Sequence, residues 1–266
     1  MGNGFRLRLK FWGVRGSTPT PHSANLGFGG NTACFEIRLP NNEILIFDGG
    51  TGLRNLGLSL VRESGKAKLN LNIFLTHFHW DHIQGIPFFV PLYSAENEIT
   101  FHSFREAEDI RETLEGQMSN PYFPINFAFL AARRNFVRMS AESAKYGAAT
   151  IRTFPVNHPQ GACGYRIESE GAVIVYASDL EHGDPALDSV VREYARDADL
   201  LIYDAQYTPE EYESKRGWGH STWLEATRVA RDAGARQLVL FHHDPGRTDD
   251  NLADLVERAR KCFPNT

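Results

Sequence analysis

Short apolar runs rich in Ile, Val, Leu and Phe recur along the chain, bounded by Gly, Asn, Asp or Pro. They fall at 6–12, 33–39, 43–48, 69–75, 98–103, 150–156, 163–168, 172–177, 199–204 and 236–241. Runs of this length and composition between turn formers predict β-strands. Apolar positions at helical spacing occupy 51–63, about 105–117, 186–197, 222–234 and 250–262. The fourth of these opens on the capping-box pattern Thr222-Trp223-Leu224-Glu225 and closes at Gly234. Three strands lead, strands and helices then mix, and the chain ends β-α-β-α. That order suits an α/β architecture in which sheets pack face to face with helices outside. The stretch 116–130, GQMSNPYFPINFAFL, carries two prolines and four aromatics without a clean period. It reads either as a loop over a site or as a packed surface loop.

Length and charge narrow the picture. With 266 residues and ordinary Gly and Pro content, the expectation is one folded domain over 1–266. Lys and Arg number 28 against 33 Asp and Glu, a net charge of −5, and no basic block is long enough to recruit a polyanion. The opening MGNGFRLRLKFWGV has no apolar signal-peptide core, and no later run approaches the roughly 18 apolar residues of a membrane helix. Cys34, Cys163 and Cys262 are odd in number, widely spaced and outside any CxxC, against a disulfide framework or a thiolate zinc site. These features predict a soluble protein of the reducing cytoplasm.

The ten histidines are unevenly placed. In LNIFLTHFHWDHIQG, 71–85, an apolar strand runs into Thr76, then His77 and His79 follow at a spacing of two, which points both side chains the same way in extended backbone. Asp81 and His82 come next. Four metal-type ligands within six residues at a strand end offer a divalent ion imidazole nitrogen and carboxylate oxygen without long-range assembly. A loop with no ion gains nothing from crowding imidazoles that repel one another when protonated.

HxHxDH after a strand and Thr resembles the metallo-β-lactamase superfamily, and the resemblance implies an αββα four-layer sandwich. It also asks for three later ligands. IRTFPVNH, 151–158, ends on His158; VIVYASD, 173–179, ends on Asp179; and LVLFHHDP, 238–245, carries His242 and His243. By this resemblance His77, His79 and His158 take one metal, Asp81, His82 and His242 a second, and Asp179 bridges them. Neighbours on an extended strand point oppositely, so one of His242 and His243 faces the metals. His242 is the choice, which leaves His243 as a substrate contact or a structural residue.

A bridging Asp in place of Cys resembles the phosphodiesterase and thioesterase branches. GWGHSTWLEA, 217–226, is similar to the GHST segment of the tRNase Z and cyclic-phosphodiesterase branch, whose histidine lies near the leaving group; here that is His220. FWGVRGSTPTP, 11–21, GFGGNTACFEI, 27–37, and LVLFHHDPGRTDDNL, 238–252, resemble a bacterial subgroup of cyclic-nucleotide phosphodiesterase-like hydrolases. In the second of these, Asn31 and Thr32 are candidate substrate contacts. Asp48 in IFDGGTG is expected to brace the metal loop without ligating, and His22, His102 and His182 to lie on the surface or in loops.

The implied function is a binuclear metal-dependent phosphodiesterase acting on a small phosphodiester, with a cyclic nucleotide as first candidate. Two divalent ions, zinc before manganese or iron, would acidify a shared water for attack on phosphorus, Asp81 would orient it, and His220 would protonate the leaving oxygen. The acidic balance and the lack of a long Gly/Pro-rich arm argue against tRNA as the partner. A homodimer is left open. The alternatives are a thioester or lactone hydrolase on the same scaffold, and a module that binds metal or nucleotide without turnover.

Overall fold

The computed structural model describes residues 7–140 and 143–266. Strands β1 (Arg8–Gly13), β2 (Cys34–Arg38), β3 (Ile44–Phe47), β4 (Asn70–Phe74), β5 (Glu98–Ser103) and β6 (Arg133–Arg138) form one sheet in that order. The other sheet runs β12-β11-β10-β9-β8-β7, from β7 (Ala144–Tyr146), β8 (Ala149–Val156), β9 (Ala162–Ser169), β10 (Ala172–Ala177), β11 (Leu200–Asp204) and β12 (Leu238–Phe241). Helices α1 (Gly52–Ser64), α2 (Trp80–Ile83), α3 (Ala107–Gln117), α4 (Pro185–Ala195), α5 (Pro209–Tyr212), α6 (Trp223–Asp232) and α7 (Asp249–Arg260) connect the strands.

Side-chain alternation divides the apolar strand residues between two layers. Phe35, Phe47, Phe74, Tyr165, Tyr176 and Phe241 meet between the sheets. Ile46, Leu71, Ile73 and Phe101 face the other way, onto α1 and α3, while Val175, Leu201 and Leu240 face α4, α6 and α7. Both faces of each sheet are thus covered, which is why the strands read as continuous apolar runs. The result is the αββα sandwich of the metallo-β-lactamase fold. Among the described residues no helix is long and apolar enough to cross a membrane.

The direction of the strands decides where chemistry can gather. β3, β4 and β5 run parallel, as do β10, β11 and β12, and β8 shares the direction of β10 because both pair antiparallel with β9. The C-terminal ends of all these strands therefore carry the loops that hold the histidines and aspartates.

Several expectations are corrected. β6, with sequence RRNFVR, is an edge strand whose three arginines hide it from an apolar pattern, and β7 has only three residues. The short helices α2 and α5 were also absent from the predicted set. Residue 6, the predicted start of the first strand, lies outside the described residues. At α6 only half the capping box forms: Thr222 accepts from Glu225 N, while the Glu225 carboxylate pairs with Arg192 and Arg228. Gly234 does end that helix, at φ +68°. His102 is no surface residue. It is buried on β5 between the sheets, stacked on Phe74 at 4.5 Å.

Stretch 116–130 buries Met118, Phe127 and Leu130 and exposes Tyr122 and Phe129, as a packed surface loop does. His22 is exposed and accepts from Ala24 N, and His182 is half-buried against Ser221 Oγ at 2.9 Å.

Candidate metal centre

Beyond β4 the chain passes through Thr76, His77 and an extended His79 into α2, whose first turn carries Asp81 and His82. His158 follows β8, Asp179 follows β10 and His242 follows β12 directly. Asp48, Asp179 and His242 all take left-handed backbone, at φ 57°, 55° and 58°. Such conformations are uncommon and mildly strained for residues other than Gly, and they turn each side chain out of its strand toward the common centre. The extended-strand argument for His242 over His243 therefore gives way to a bend at His242 itself.

Two donor groups result. Ligand atoms of His77, His79 and His158 lie within 4.8 Å of one another, and so do those of Asp81, His82, Asp179 and His242. His79 Nδ1 faces His158 Nε2 at 3.1 Å, and His82 Nε2 faces His242 Nε2 at 3.3 Å. Asp179 lies between the groups, with Oδ1 at 3.8 Å from His77 Nε2 and 3.1 Å from His242 Nε2, and Oδ2 at 3.1 Å from His82 Nε2.

The outer nitrogen of each imidazole is anchored. His82 Nδ1 donates to Asp48 Oδ2 at 2.9 Å, His242 Nδ1 to Gln206 Oε1 at 2.8 Å, His158 Nδ1 to Gly219 O at 2.9 Å, and His79 Nε2 to Gln160 Oε1 at 3.0 Å. His77 Nδ1 donates to Thr76 Oγ1 at 3.0 Å, which in turn donates to Asp48. Fixing the outer N–H fixes the tautomer, so each inner nitrogen presents a lone pair. Buried lone pairs facing one another at such distances need a proton or a cation between them, and His77 Nε2 is buried with no hydrogen-bond partner at all. The donors present fit two divalent ions.

The surrounding chain is built for this packing. At Gly219, φ +85°, an added Cβ would stand 2.4 Å from His158 Nδ1, and at Gly50 one would stand 2.2 Å from Asp81 O. Asp81 Oδ2 also accepts from Ser17 N at 2.7 Å. Asp48, as expected, braces: besides His82 and Thr76 it accepts from Tyr176 Oη at 2.7 Å.

Electrostatics separate the groups. Burial first, and then the neighbouring imidazoles, hold His77 and His158 below the ordinary histidine range. Burial acts the same way on His82 and His242, but Asp179 and the other carboxylates outweigh it, raising His82 well above its usual value and His242 to about 9. Asp81 and Asp179 are lowered, since the imidazoles overcome the desolvation that opposes their charge.

His220 lies over both groups, its ring stacked on His242 at 4.8 Å and 5.5 Å from His158. Its Nδ1 donates to Asp204 Oδ2 at 2.9 Å. Asp204, absent from the sequence reading, is a hub: it also accepts from the backbone N–H groups of Asp179, Gln206 and Ser221. Its signal was available, because LLIYD ends a strand on Asp as VIVYASD does.

Three candidate substrate contacts do not converge on the donors. Thr32 is fully buried, exchanging hydrogen bonds with Thr51, and Asn31 Oδ1 accepts from Thr51 Oγ1 at 3.1 Å. Both hold the start of α1, Thr32 fully buried and Asn31 partly open to solvent. His243 is buried and belongs to neither donor group, its Nδ1 unpartnered; burial, with Arg15 and His242 nearby, lowers its pKa to about 3. The neighbouring glycine loop is clamped to α7, with Gly27 N and Phe28 N donating to Asp249.

Fold and donor set together define a metal-dependent hydrolase of the metallo-β-lactamase fold. The chain belongs to the β-lactamase superfamily, whose domain model matches residues 44–243. It is 25% identical over 304 aligned positions to Ribonuclease Z of Thermoplasma acidophilum, covering 98% of this chain and 93% of that protein. Among solved structures it is similar to the metallo-β-lactamase fold protein YhfI of Bacillus subtilis, with TM-score 0.72, 20% identity and coverage of 97% and 92%. Yeast PDE1 shares the fold at TM-score 0.61 and 14% identity, with coverage of 97% and 94%.

Proposed function

We propose that the chain is a binuclear metal-dependent phosphodiesterase acting on a small phosphodiester, with a cyclic nucleotide as first candidate. In this reading His77, His79 and His158 hold one ion, Asp81, His82 and His242 the other, and Asp179 bridges; zinc suits the imidazole-rich set, with manganese or iron as carboxylate-tolerant alternatives. The ions, when bound, acidify water and neutralise charge growing on phosphoryl oxygens. Asp81, fixed by Ser17 N, orients the nucleophile. His220 holds a proton for the departing oxygen, with Nδ1 tied to Asp204 and Nε2 left for exchange.

The observation that carries this reading is the His220–Asp204 pair stacked over the two donor groups. Phosphodiester cleavage expels a poor leaving group, and a carboxylate-oriented imidazole beside the ions supplies its proton. A ribonuclease reading competes, because the match to Ribonuclease Z spans nearly the whole chain; the net charge of −5 favours a smaller anion.

The test is hydrolysis of bis(p-nitrophenyl) phosphate by zinc- or manganese-loaded protein with and without chelator, followed by a cyclic-nucleotide panel and a precursor tRNA. Chelator-sensitive turnover of the diester and of a cyclic nucleotide is expected. Cleavage of the precursor tRNA alone would replace the small substrate, and turnover of thioesters or lactones without any diester would overturn the chemistry. His220→Ala should lower turnover roughly 10²- to 10⁴-fold with two ions per chain retained; loss of both ions would reassign His220 to structure.

A further inference from the structure

We propose that Glu181 is a positioning residue for the metal centre: its carboxylate seats the 217–219 loop, and that loop places His220 and braces His158. The part played through His220 rests on the phosphodiesterase reading above. Glu181 is half-buried and lies two residues past Asp179, on the loop that leaves β10. Its main chain is tied in both directions to Asn157, the residue before His158. Glu181 N donates to Asn157 O at 2.7 Å, and Asn157 Nδ2 donates to Glu181 O at 3.0 Å. The chain ends of β8 and β10, which carry His158 and Asp179, are thereby joined at this one residue.

The side chain reaches a third segment. Gly217 N–H is shared between Oε1 at 2.7 Å and Oε2 at 2.9 Å, and Gly219 N donates to Oε2 at 3.0 Å. Tyr212 Oη, at the end of α5, donates to Oε1 at 3.0 Å. Gly217 and Gly219 take φ of +84° and +85°, conformations open to glycine, so this loop has no helix or strand ladder to hold its amides. Hydrogen bonds from N–H groups to an ionised carboxylate are stronger than those between neutral groups, and Glu181 supplies the fixed point the loop otherwise lacks.

What the loop delivers is specific. Gly219 O accepts from His158 Nδ1 at 2.9 Å, and the next residue is His220. Asp204 fixes the His220 ring through its Nδ1, whereas Glu181 fixes the main chain from which that ring projects. Gly217 is exposed, so water can take over its N–H when the carboxylate is removed, but water does not hold the chain in place. Removal should therefore displace His220 and loosen His158 in a protein that still folds.

The test makes two measurements on the unmodified full chain, Glu181→Ala, Glu181→Gln, His220→Ala and the double variant Glu181→Ala/His220→Ala. The first is hydrolysis of bis(p-nitrophenyl) phosphate at zinc concentrations that fill both sites. Glu181→Ala should lower kcat roughly 10- to 100-fold with KM little changed. Glu181→Gln keeps one acceptor oxygen and should fall between the two. Added to His220→Ala, the Glu181→Ala change should cost little more, because both act through the same ring. The second measurement is calorimetric titration of zinc into chelated protein. One of the two binding steps should weaken roughly 10- to 100-fold in Glu181→Ala and the other stay, since Gly219 O braces His158 alone. Unchanged kcat in Glu181→Ala, or losses that multiply in the double variant, overturns the placement of His220. Two unchanged zinc steps overturn the bracing of His158. Loss of both steps in Glu181→Ala and Glu181→Gln alike would make the carboxylate a requirement for folding and overturn the proposal. Should the unmodified chain hydrolyse no diester, the phosphodiesterase reading fails by itself, and the zinc steps still decide whether Glu181 holds the loop.

Discussion

The His77–His79–His158 group and the Asp81–His82–Asp179–His242 group sit side by side and solve the same problem in different ways. The first contains only imidazoles, its His79 is partly open to solvent, and its outer nitrogens rest on neutral partners: a threonine hydroxyl, a glutamine amide and a glycine carbonyl. Burial, as the leading cause, holds His77 and His158 below the ordinary histidine range. The second is fully buried and charged, with two carboxylates facing two imidazoles whose affinity for protons they raise. In the first group desolvation and the neighbouring imidazoles together disfavour the charged form of His77 and His158. In the second, charge balance holds the cavity together and a divalent ion takes the place of protons.

The largest effect should come from Asp179, the proposed bridge between the groups. Asp179→Asn removes the bridging charge, and turnover is expected to fall roughly 10³-fold or more. Metal analysis should find the second ion lost and the first retained. Two tightly bound ions in this variant would contradict the bridging assignment.

Next comes the contrast in stability, measured by urea unfolding of chelated protein. His82→Ala leaves Asp48, Asp81 and Asp179 buried with too little positive charge, and should cost about 3–5 kcal/mol. His79→Ala, at the open edge, should cost less than about 1 kcal/mol. Each variant should keep one ion per chain, in the group left intact. Equal destabilisation would erase the distinction drawn between the groups. A smaller effect is expected one bond further out. Asp48→Asn weakens the anchor of His82, and binding of the second ion should loosen about 10- to 100-fold while the first is nearly unaffected.

The run from His77 to His82 was legible because its ligands are contiguous and need only a strand end to present them. His158, Asp179 and His242 are ordinary turn residues one at a time, and became ligand candidates only through their order along the chain. What the sequence hid is mainly backbone. Nothing in the letters of Asp48, Asp179 or His242 announces left-handed φ, since the surrounding loops impose it. Asp204 was missed for a different reason: it braces His220 and the backbone of Asp179 and lies 3.8 Å from His242 Nδ1, roles that need no ligand spacing, so a strand ending on Asp was all that marked it in the sequence. The α/β layering followed from apolar runs, whereas edge strand β6 did not, because an edge needs no apolar pattern to hydrogen-bond with its single neighbour.

His102 sharpens the comparison from outside both groups. Like His77 it is buried and depressed, its pKa lowered to about 4 by desolvation, but no carboxylate or other imidazole accompanies it. Its Nε2–H donates to Asn72 Oδ1 at 2.9 Å, and its Nδ1 accepts from Tyr146 Oη at 3.2 Å. The neutral ring is satisfied at both nitrogens, and a second proton would displace the tyrosine's donation. Because the folded pKa lies below the unfolded value near 6.5, the unfolded chain binds more protons between pH 6.5 and 4. Stability from this residue is therefore full above that window and lost as pH falls through it. From pH 7.5 to 5.5 the loss should be on the order of 1 kcal/mol. His102→Gln keeps a donor for Asn72 and removes the titration, so its urea midpoint should fall less over the same interval than that of the unmodified chain. Parallel pH curves for the two proteins would show that the ring takes up its proton as readily folded as unfolded, and that desolvation, the leading cause at His77, is too weak at this depth to hold an imidazole neutral.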